Sequence, residues 1–269
     1  MRTRAVASAF AAIEKVQRLM SYFEFSSDVS RLNREARKSA VRVDEWTWQV
    51  LARSEEFSIR SGGAFDITVA PFLSRWGYLP NGYKADPNST FRDIVLIPGR
   101  MVRFVRPLAI DLGGIAKGFA VDCAVEALQA NGIKSGIVNA GGDLRIFGPE
   151  PQQIYLRDPT NPGASAGAVS LRNRAIATSG VYFSLKVWSD TVVSPLIDST
   201  TGRPVVRDIS VAVSAPNCLT ADALTKILVT RGEAARDLLR WFKADAVILE
   251  RNKMPRVVSA HATQFRQAQ

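Results

Sequence analysis

Apolar positions recur along this chain with two periods, and the places where one gives way to the other outline its elements. Helical spacing runs through Ala5–Met20, where Phe10, Ile13, Val16 and Met20 share a register. It runs again through Asp44–Arg60, opened by Asp44 as N-cap and stopped at Gly62. It returns in Ile115–Asn131, with Phe119, Ala120, Cys123, Ala124, Ala127 and Leu128 on the apolar positions and Asn131-Gly132 as the stop, then in Leu219–Thr230 and Glu233–Phe242. Short apolar and β-branched runs predict strands at Ile94–Ile97, Val102–Val105, Gly136–Asn139, Ile154–Arg157, Val169–Leu171, Ala175–Thr178, Ser210–Val213 and Ala246–Leu249. Pro107–Ile110 predicts a further short strand. Tyr83–Thr90 and Pro159–Gly167, rich in Pro, Asn, Gly and Ser, read as surface loops rather than domain boundaries. Helices and strands are interspersed without a long linker or internal repeat, so the expectation is an α+β fold in a single domain over residues 1–269.

Composition narrows this picture only slightly. With 46% hydrophobic residues over 269 positions, the chain has enough apolar material for a substantial core. No run reaches the roughly 18 apolar residues a membrane span needs. Met1-Arg-Thr-Arg4 followed by Ala5–Ile13 has the outline of an export signal. Its register nevertheless continues to Met20, which makes it an amphipathic structural helix. With neither a signal nor a lipobox cysteine, the chain as written reads as soluble and cytoplasmic. The two cysteines, Cys123 and Cys218, sit on separate predicted helices without a redox or metal spacing and read as small apolar packing. His261, the one histidine, falls in a polar tail and reads as solvated.

A net charge of +10 raises the question of nucleic acid. Arg31, Arg34, Arg37, Lys38, Arg42, Arg100, Arg103, Arg106 and Arg251 are dispersed, however, with no recognition motif among them. The positive field is better suited to steering an anionic dinucleotide or an acidic partner. No nucleic-acid partner is expected.

The densest chemistry lies in Asp111-Leu-Gly-Gly-Ile-Ala-Lys-Gly-Phe-Ala-Val-Asp122. Gly113 and Gly114 precede a helix whose first amides and positive dipole end favour an anion, and Lys117 in the first turn is unfavourable unless a phosphate compensates it. Two glycines, a lysine and the carboxylates Asp111 and Asp122 are expected around one point, in a phosphate-and-metal arrangement. Asn139-Ala-Gly-Gly-Asp143 follows an apolar strand, and its glycine pair is expected to let backbone approach a ligand. Ile176-Ala-Thr-Ser-Gly180 is a strand ending in hydroxyls and a glycine, Leu196-Ile-Asp198 a strand closing in a turn, and Cys218–Leu224 opens a helix carrying Thr220 and Asp222 near its start.

With Met20-Ser-Tyr22, Ser27–Asn33, Gly62–Thr68 and Trp76-Gly77, this order of motifs resembles the ApbE family of FAD:protein FMN transferases from about Phe10 to Leu249. The resemblance implies a two-lobed fold with mixed or antiparallel sheets, flanked by helices, around a central nucleotide cleft. It implies cleavage of FAD at its pyrophosphate, transfer of FMN to a threonine or serine hydroxyl of an acceptor flavoprotein such as a redox-pump or reductase subunit, and release of AMP. Among site residues it implies FAD contacts at Ser21, Tyr22, Phe65, Asp66, Gly113, Gly114, Lys117, Asp143, Thr178, Ser179 and Gly180. It also implies Mg²⁺ held by Asp222, the Ala116 carbonyl and Thr225. Much of the family is exported, so a periplasmic or inner-membrane-associated location is the alternative to a cytoplasmic one.

Three departures from the family pattern stand out. Pro195 replaces the histidine usual before the Leu-Ile-Asp turn, leaving Asp198 as the carboxylate to orient the acceptor and Lys117 as the phosphate contact. Lys226 replaces a threonine usual four residues after the metal aspartate. Two readings follow: either the Lys226 ammonium takes the metal's place, or Thr225 takes the metal role by a small rotation. The chain also starts almost directly with its first helix, without the usual strand ending in Met-Gly-Thr, so one wall of the pocket is expected to be missing. The alternative function is a relative that binds or hydrolyses FAD without transferring FMN.

Overall fold

The computed structural model describes residues 2–161, 163–181, 184–258 and 265–267; His261 lies outside the described residues. The helices are α1 (Arg2–Met20), α2 (Asp28–Glu35), α3 (Glu45–Arg60), α4 (Ala70–Arg75), α5 (Ala116–Ala130), α6 (Cys218–Arg231) and α7 (Arg236–Trp241). The strands are β1 (Val41–Arg42), β2 (Ile94–Ile97), β3 (Met101–Phe104), β4 (Gly136–Ala140), β5 (Asp143–Phe147), β6 (Gln152–Arg157), β7 (Ser165–Leu171) and β8 (Ala175–Gly180). The remainder are β9 (Lys186–Trp188), β10 (Thr191–Val193), β11 (Ile197–Asp198), β12 (Arg203–Pro204), β13 (Ile209–Ala215), β14 (Asp245–Glu250), β15 (Arg256–Val258) and β16 (Phe265–Gln267).

The central sheet, ordered β15-β14-β13-β8-β5-β4, is antiparallel at every described pairing. Its inner strands read as continuous apolar runs because both faces are covered. Ala175, Ala177, Val211, Val213, Ala246 and Ile248 point into the larger core, which contains Leu224, Ile227 and Leu228 of α6. The alternate residues Ile176, Ala212, Val247 and Leu249 point to a second core against Leu156, Val169 and Leu171 of the β16-β7-β6 sheet. Helices α5 and α6 pack together on the first face, and α1 lies along α5. The fold is therefore α+β, with antiparallel sheets flanked by helices.

Side-chain caps set several boundaries. Ser27 Oγ accepts from Ser30 N (3.0 Å) at α2, Asp44 Oδ1 from Trp46 N (2.9 Å) at α3, and Asn217 Oδ1 from Thr220 N (2.9 Å) at α6. Three expectations need correction. Pro107–Ile110 joins no sheet; in place of a partner strand the Asn33 side chain brackets Ile110, its Oδ1 accepting from Ile110 N (2.8 Å) and its Nδ2 donating to Ile110 O (3.0 Å). The helix read over Glu233–Phe242 is a 3-10 turn, Gly232–Ala235, followed by the short α7. The loop read over Pro159–Gly167 ends earlier, since β7 starts at Ser165 and pairs with β6. Cys123 and Cys218 are both free and buried, as apolar packing requires. Among the described residues, no helix is long and apolar enough to cross a membrane.

Candidate active site

The turn ahead of α5 is held from both sides. Asp111 N donates to Ile67 O (2.8 Å), and Gly113 N donates back to Asp111 Oδ2 (3.1 Å). A Cβ on Gly113 would lie 2.8 Å from that same oxygen, so any larger residue here would require the Asp111 carboxylate to shift. Ile115 gives α5 no side-chain cap. The cap comes instead from α6, whose Asp222 Oδ2 accepts from Gly118 N (3.1 Å). In return, Asp122 of α5 accepts from Cys218 N (2.9 Å) and Leu219 N (2.8 Å) at the start of α6. Each helix thus supplies the carboxylate that caps the other. The contact is close enough that a Cβ on Gly118 would lie 2.3 Å from the Cys218 carbonyl oxygen.

This reciprocity corrects the expectation that Asp122 shares a point with Lys117 and Asp111. Asp122 is buried against α6, and Arg145 Nη1 donates to it at 2.8 Å. The carboxylates that Lys117 does reach are Asp143, which its ammonium bonds directly, and Asp222 Oδ1 at 3.6 Å. Lys226 Nζ bonds the same Asp222 Oδ1 and donates to Thr225 Oγ1 (3.2 Å). Gly141 and Gly142 (φ 70° and 103°) serve a different purpose from the one expected. They form the two-residue loop of the β4–β5 hairpin, where Ala140 pairs with Asp143, and left-handed backbone at both positions is what such a turn demands. The hairpin sets Asp143 at the start of β5, in reach of Lys117.

Electrostatics follow from this packing. Burial pulls the Lys117 ammonium toward the neutral form, but attraction to Asp222 and Asp143 outweighs it and holds the pKa above its ordinary value. For Asp222, burial favours the neutral form, yet Lys226 and Lys117 together keep the carboxyl below the usual range. Asp143 is raised by burial and by repulsion from Asp222, only partly relieved by Lys117 and Lys226. Burial also pushes Asp111 up to about 6 despite the amides of Gly113 and Leu112.

Lys117, Lys226 and Asp111 border a cavity of about 490 Å³. Of the residues singled out from sequence, Phe65, Asp66, Gly113, Gly114, Lys117, Thr178, Ser179 and Gly180 line it, together with Asp111, Pro195 and Lys226. Asp66 lines it with a carboxylate already engaged: Oδ1 accepts from Thr68 N and Oγ1 (both 2.8 Å) and Oδ2 from Phe91 N (3.1 Å). Asp143, Asp222 and Thr225 lie just behind the wall, buried and touching the lysines. Tyr22 is not on this wall but lines a second cavity with Phe25, Arg34, Lys38 and Lys84; Phe23 borders both. Ser21 uses its hydroxyl on Phe23 N (3.2 Å). Asp198 is also absent from the wall: its Oδ1 accepts from Thr200 N (3.0 Å) and Oγ1 (2.6 Å), closing the β11–β12 turn, whereas its neighbour Ser199 lines the cavity. Asp111 was legible only as part of a motif, and nothing in its spacing marked it as the carboxyl facing the cavity.

The donors present do not fit the magnesium ion that the resemblance implies. Mg²⁺ needs about six oxygens at roughly 2.0–2.1 Å. Asp222 has Oδ1 on the Lys226 ammonium and Oδ2 on the Gly118 amide. The Thr225 hydroxyl is tied to Asp222 O and Ser179 Oγ, each at 2.7 Å, so its rotation toward a metal would break both bonds. Ala116 is not on the cavity wall. Among the described residues, no three His, Cys, Asp or Glu side chains converge as a metal site.

Comparison with known proteins agrees with this geometry. The model of the ApbE family matches residues 2–248. An FAD:protein FMN transferase of Vibrio cholerae serotype O1 is 31% identical over 241 residues, covering 82% of this chain and 71% of that protein. One from Treponema pallidum is 29% identical over 292 residues, covering 94% and 81%. The crystal structure of an ApbE protein from Thermotoga maritima superposes with a TM-score of 0.83 at 27% identity, covering 95% of this chain and 88% of that one. The chain belongs to the ApbE family.

Proposed function

We propose that this protein is a FAD:protein FMN transferase. The observation that carries this reading is the convergence of Lys117 and Lys226 beside the Gly113-Gly114 turn and the N-terminus of α5, on the wall of a cavity that also presents Phe65, Thr178 and Ser179. A site of this kind suits a dinucleotide diphosphate with apolar surface for its rings. The relatives named for the activity align over most of the chain. The acceptor is a threonine or serine hydroxyl on a partner flavoprotein.

In the reaction the acceptor oxygen attacks the FMN-side phosphorus. A new P–O bond forms, the bond to the AMP phosphate breaks, and AMP leaves with that electron pair. Lys117 and Lys226 on the cavity wall hold the diphosphate in line for this displacement and offset its charge. The hydroxyl proton passes to Asp111, which borders the cavity and, raised to about 6, is ionised at neutral pH yet basic enough to accept it. Asp198, with its carboxylate committed to the Thr200 turn, holds the β11–β12 loop instead.

A second reading rests on Pro195, which lines the cavity where the family usually has histidine and can move no proton. Water in place of the acceptor hydroxyl would give FMN and AMP. Incubating the chain with FAD and a threonine- or serine-bearing acceptor separates the two. Covalent flavin fluorescence on the acceptor with matching AMP establishes transfer, whereas AMP with free FMN and an unlabelled acceptor establishes hydrolysis. Bound FAD without AMP would overturn both.

A further inference from the structure

We propose that the ammonium groups of Lys117 and Lys226, bridged by Asp222, take the role of a divalent cation at the diphosphate, so that this chain binds FAD without metal. The inference rests on FAD being the substrate.

Lys226 lies one turn beyond Asp222 on α6, so its side chain can fold back over the aspartate. It does so inwards: the Lys226 side chain is 20% exposed and that of Asp222 is 0% exposed. The aliphatic stem runs beneath the glycine turn, where a Cβ on Gly114 would lie 3.6 Å from Lys226 Cγ and 3.7 Å from Cε. This excludes a solvated lysine that merely replaces a lost ligand. An ammonium carries three donors. Asp222 and Thr225 engage two of those on Lys226, leaving one for a phosphate oxygen on the cavity wall that the residue lines. Lys117 reaches the same Asp222 oxygen from α5. The aspartate therefore holds two cations beside the turn, and a divalent ion at the same oxygen would have to compete with both ammoniums. Together with Asp143 the cluster sums to zero charge, two ammoniums against two carboxylates, so a diphosphate draws on the ammonium hydrogens the carboxylates leave free and on the chain's positive field.

Calorimetric titration of FAD into the full chain, with excess Mg²⁺ and separately with chelator, tests this directly. The expected result is a Kd that agrees within about twofold between the two conditions, and no saturable heat when Mg²⁺ is titrated alone. Lys226→Met is expected to weaken FAD binding about tenfold or more in chelator, with a cooperative melt, at a temperature lowered by the loss of a partner to buried Asp222, as the control for folding. Lys226→Thr is expected to be equally weak in chelator and to recover with Mg²⁺. A wild-type Kd that worsens about tenfold in chelator would overturn the inference while leaving FAD as the substrate, and so would a folded Lys226→Met chain with undiminished affinity. Absence of FAD binding in both conditions would overturn the function itself and the inference with it.

Discussion

Helices α5 and α6 start beside each other and cap each other, yet their two N-termini are finished differently. At α6, Asn217 takes the Thr220 amide and Asp122 takes those of Cys218 and Leu219, all behind the surface. Arg145 neutralises the carboxylate, and nothing is left over for a ligand. At α5, Asp222 takes only the Gly118 amide, while Gly113 and Gly114 ahead of the helix face the cavity and two lysines crowd the aspartate. The same device, a helix start with a carboxylate from its neighbour, is closed in one case to build the fold and left open in the other to build a site. What distinguishes the open start is therefore less its amides, since those of Gly113, Ala116 and Gly118 already donate within the protein, than the two lysines that line the cavity beside it.

Removing the shared contact should have the largest effect. Gly118→Ala places a Cβ 2.3 Å from the Cys218 carbonyl, and backbone on both helices resists moving. We expect destabilisation of about 3 kcal/mol or more, read by denaturant melts, because both caps depend on this approach. Ordinary melting behaviour would mean that the helices can separate without cost. Next in size is Asp222→Asn, which leaves an acceptor for Gly118 but takes away the charge that fixes both lysines. The expected losses are about tenfold in FAD affinity and about a hundredfold in turnover, with the fold retained. Near-wild-type turnover would show that the lysines need no anchor.

The contrast between the two helix starts was only half legible in the sequence. Helix α3 could be read because a cap and a stop flank its apolar register, α5 because Asn131-Gly132 stops its register, α6 from its register alone, and β8 and β13 because sheets buried on both faces leave apolar runs. Gly113, Gly114 and Lys117 could be placed together at a helix start because local spacing decides where they point, and all three do line one cavity. The pairings that finish the job could not. Asp122 and Asp222 occupy buried positions in similar helical contexts, and which one meets the lysines behind the cavity wall depends on how α5 crosses α6. The Asn33 bracket on Ile110 is likewise a contact between distant segments, so an apolar run looked like a strand. Gly141 and Gly142 misled for the opposite reason: a glycine pair is equally at home in a ligand loop and in a tight hairpin, and only the β4–β5 pairing decides.

At the closed start, Asp122→Asn keeps one oxygen for the amides of Cys218 and Leu219 but removes the charge that answers the α6 dipole and Arg145. Destabilisation of about 1–3 kcal/mol is expected, with FAD affinity in the folded fraction changed by less than about threefold. A larger loss of affinity than of stability would mean that α6 is not the purely structural partner described above.

The smallest effect, and the one that best separates folding from function, concerns Asp111 beside the open start. Burial raises its carboxyl to about 6 in the folded chain, above the ordinary carboxylate range of the unfolded one. Folding is therefore favoured where Asp111 is protonated, and that contribution is lost as pH rises from the ordinary range through about 6. Asp111→Asn keeps an acceptor for the Gly113 amide and cannot ionise, so it escapes this loss. Its melting temperature should exceed that of the wild type by several degrees above pH 6 and converge with it in more acidic buffer. Turnover should move the other way: the wild type gains rate as pH rises through about 6, and the variant shows a flat, lower profile because its proton acceptor is gone. A variant that melts like the wild type at every pH would remove the buried charge from the account. One that keeps the wild-type inflection in rate would place the proton acceptor elsewhere on the cavity wall, with Asp66 the next carboxyl to replace.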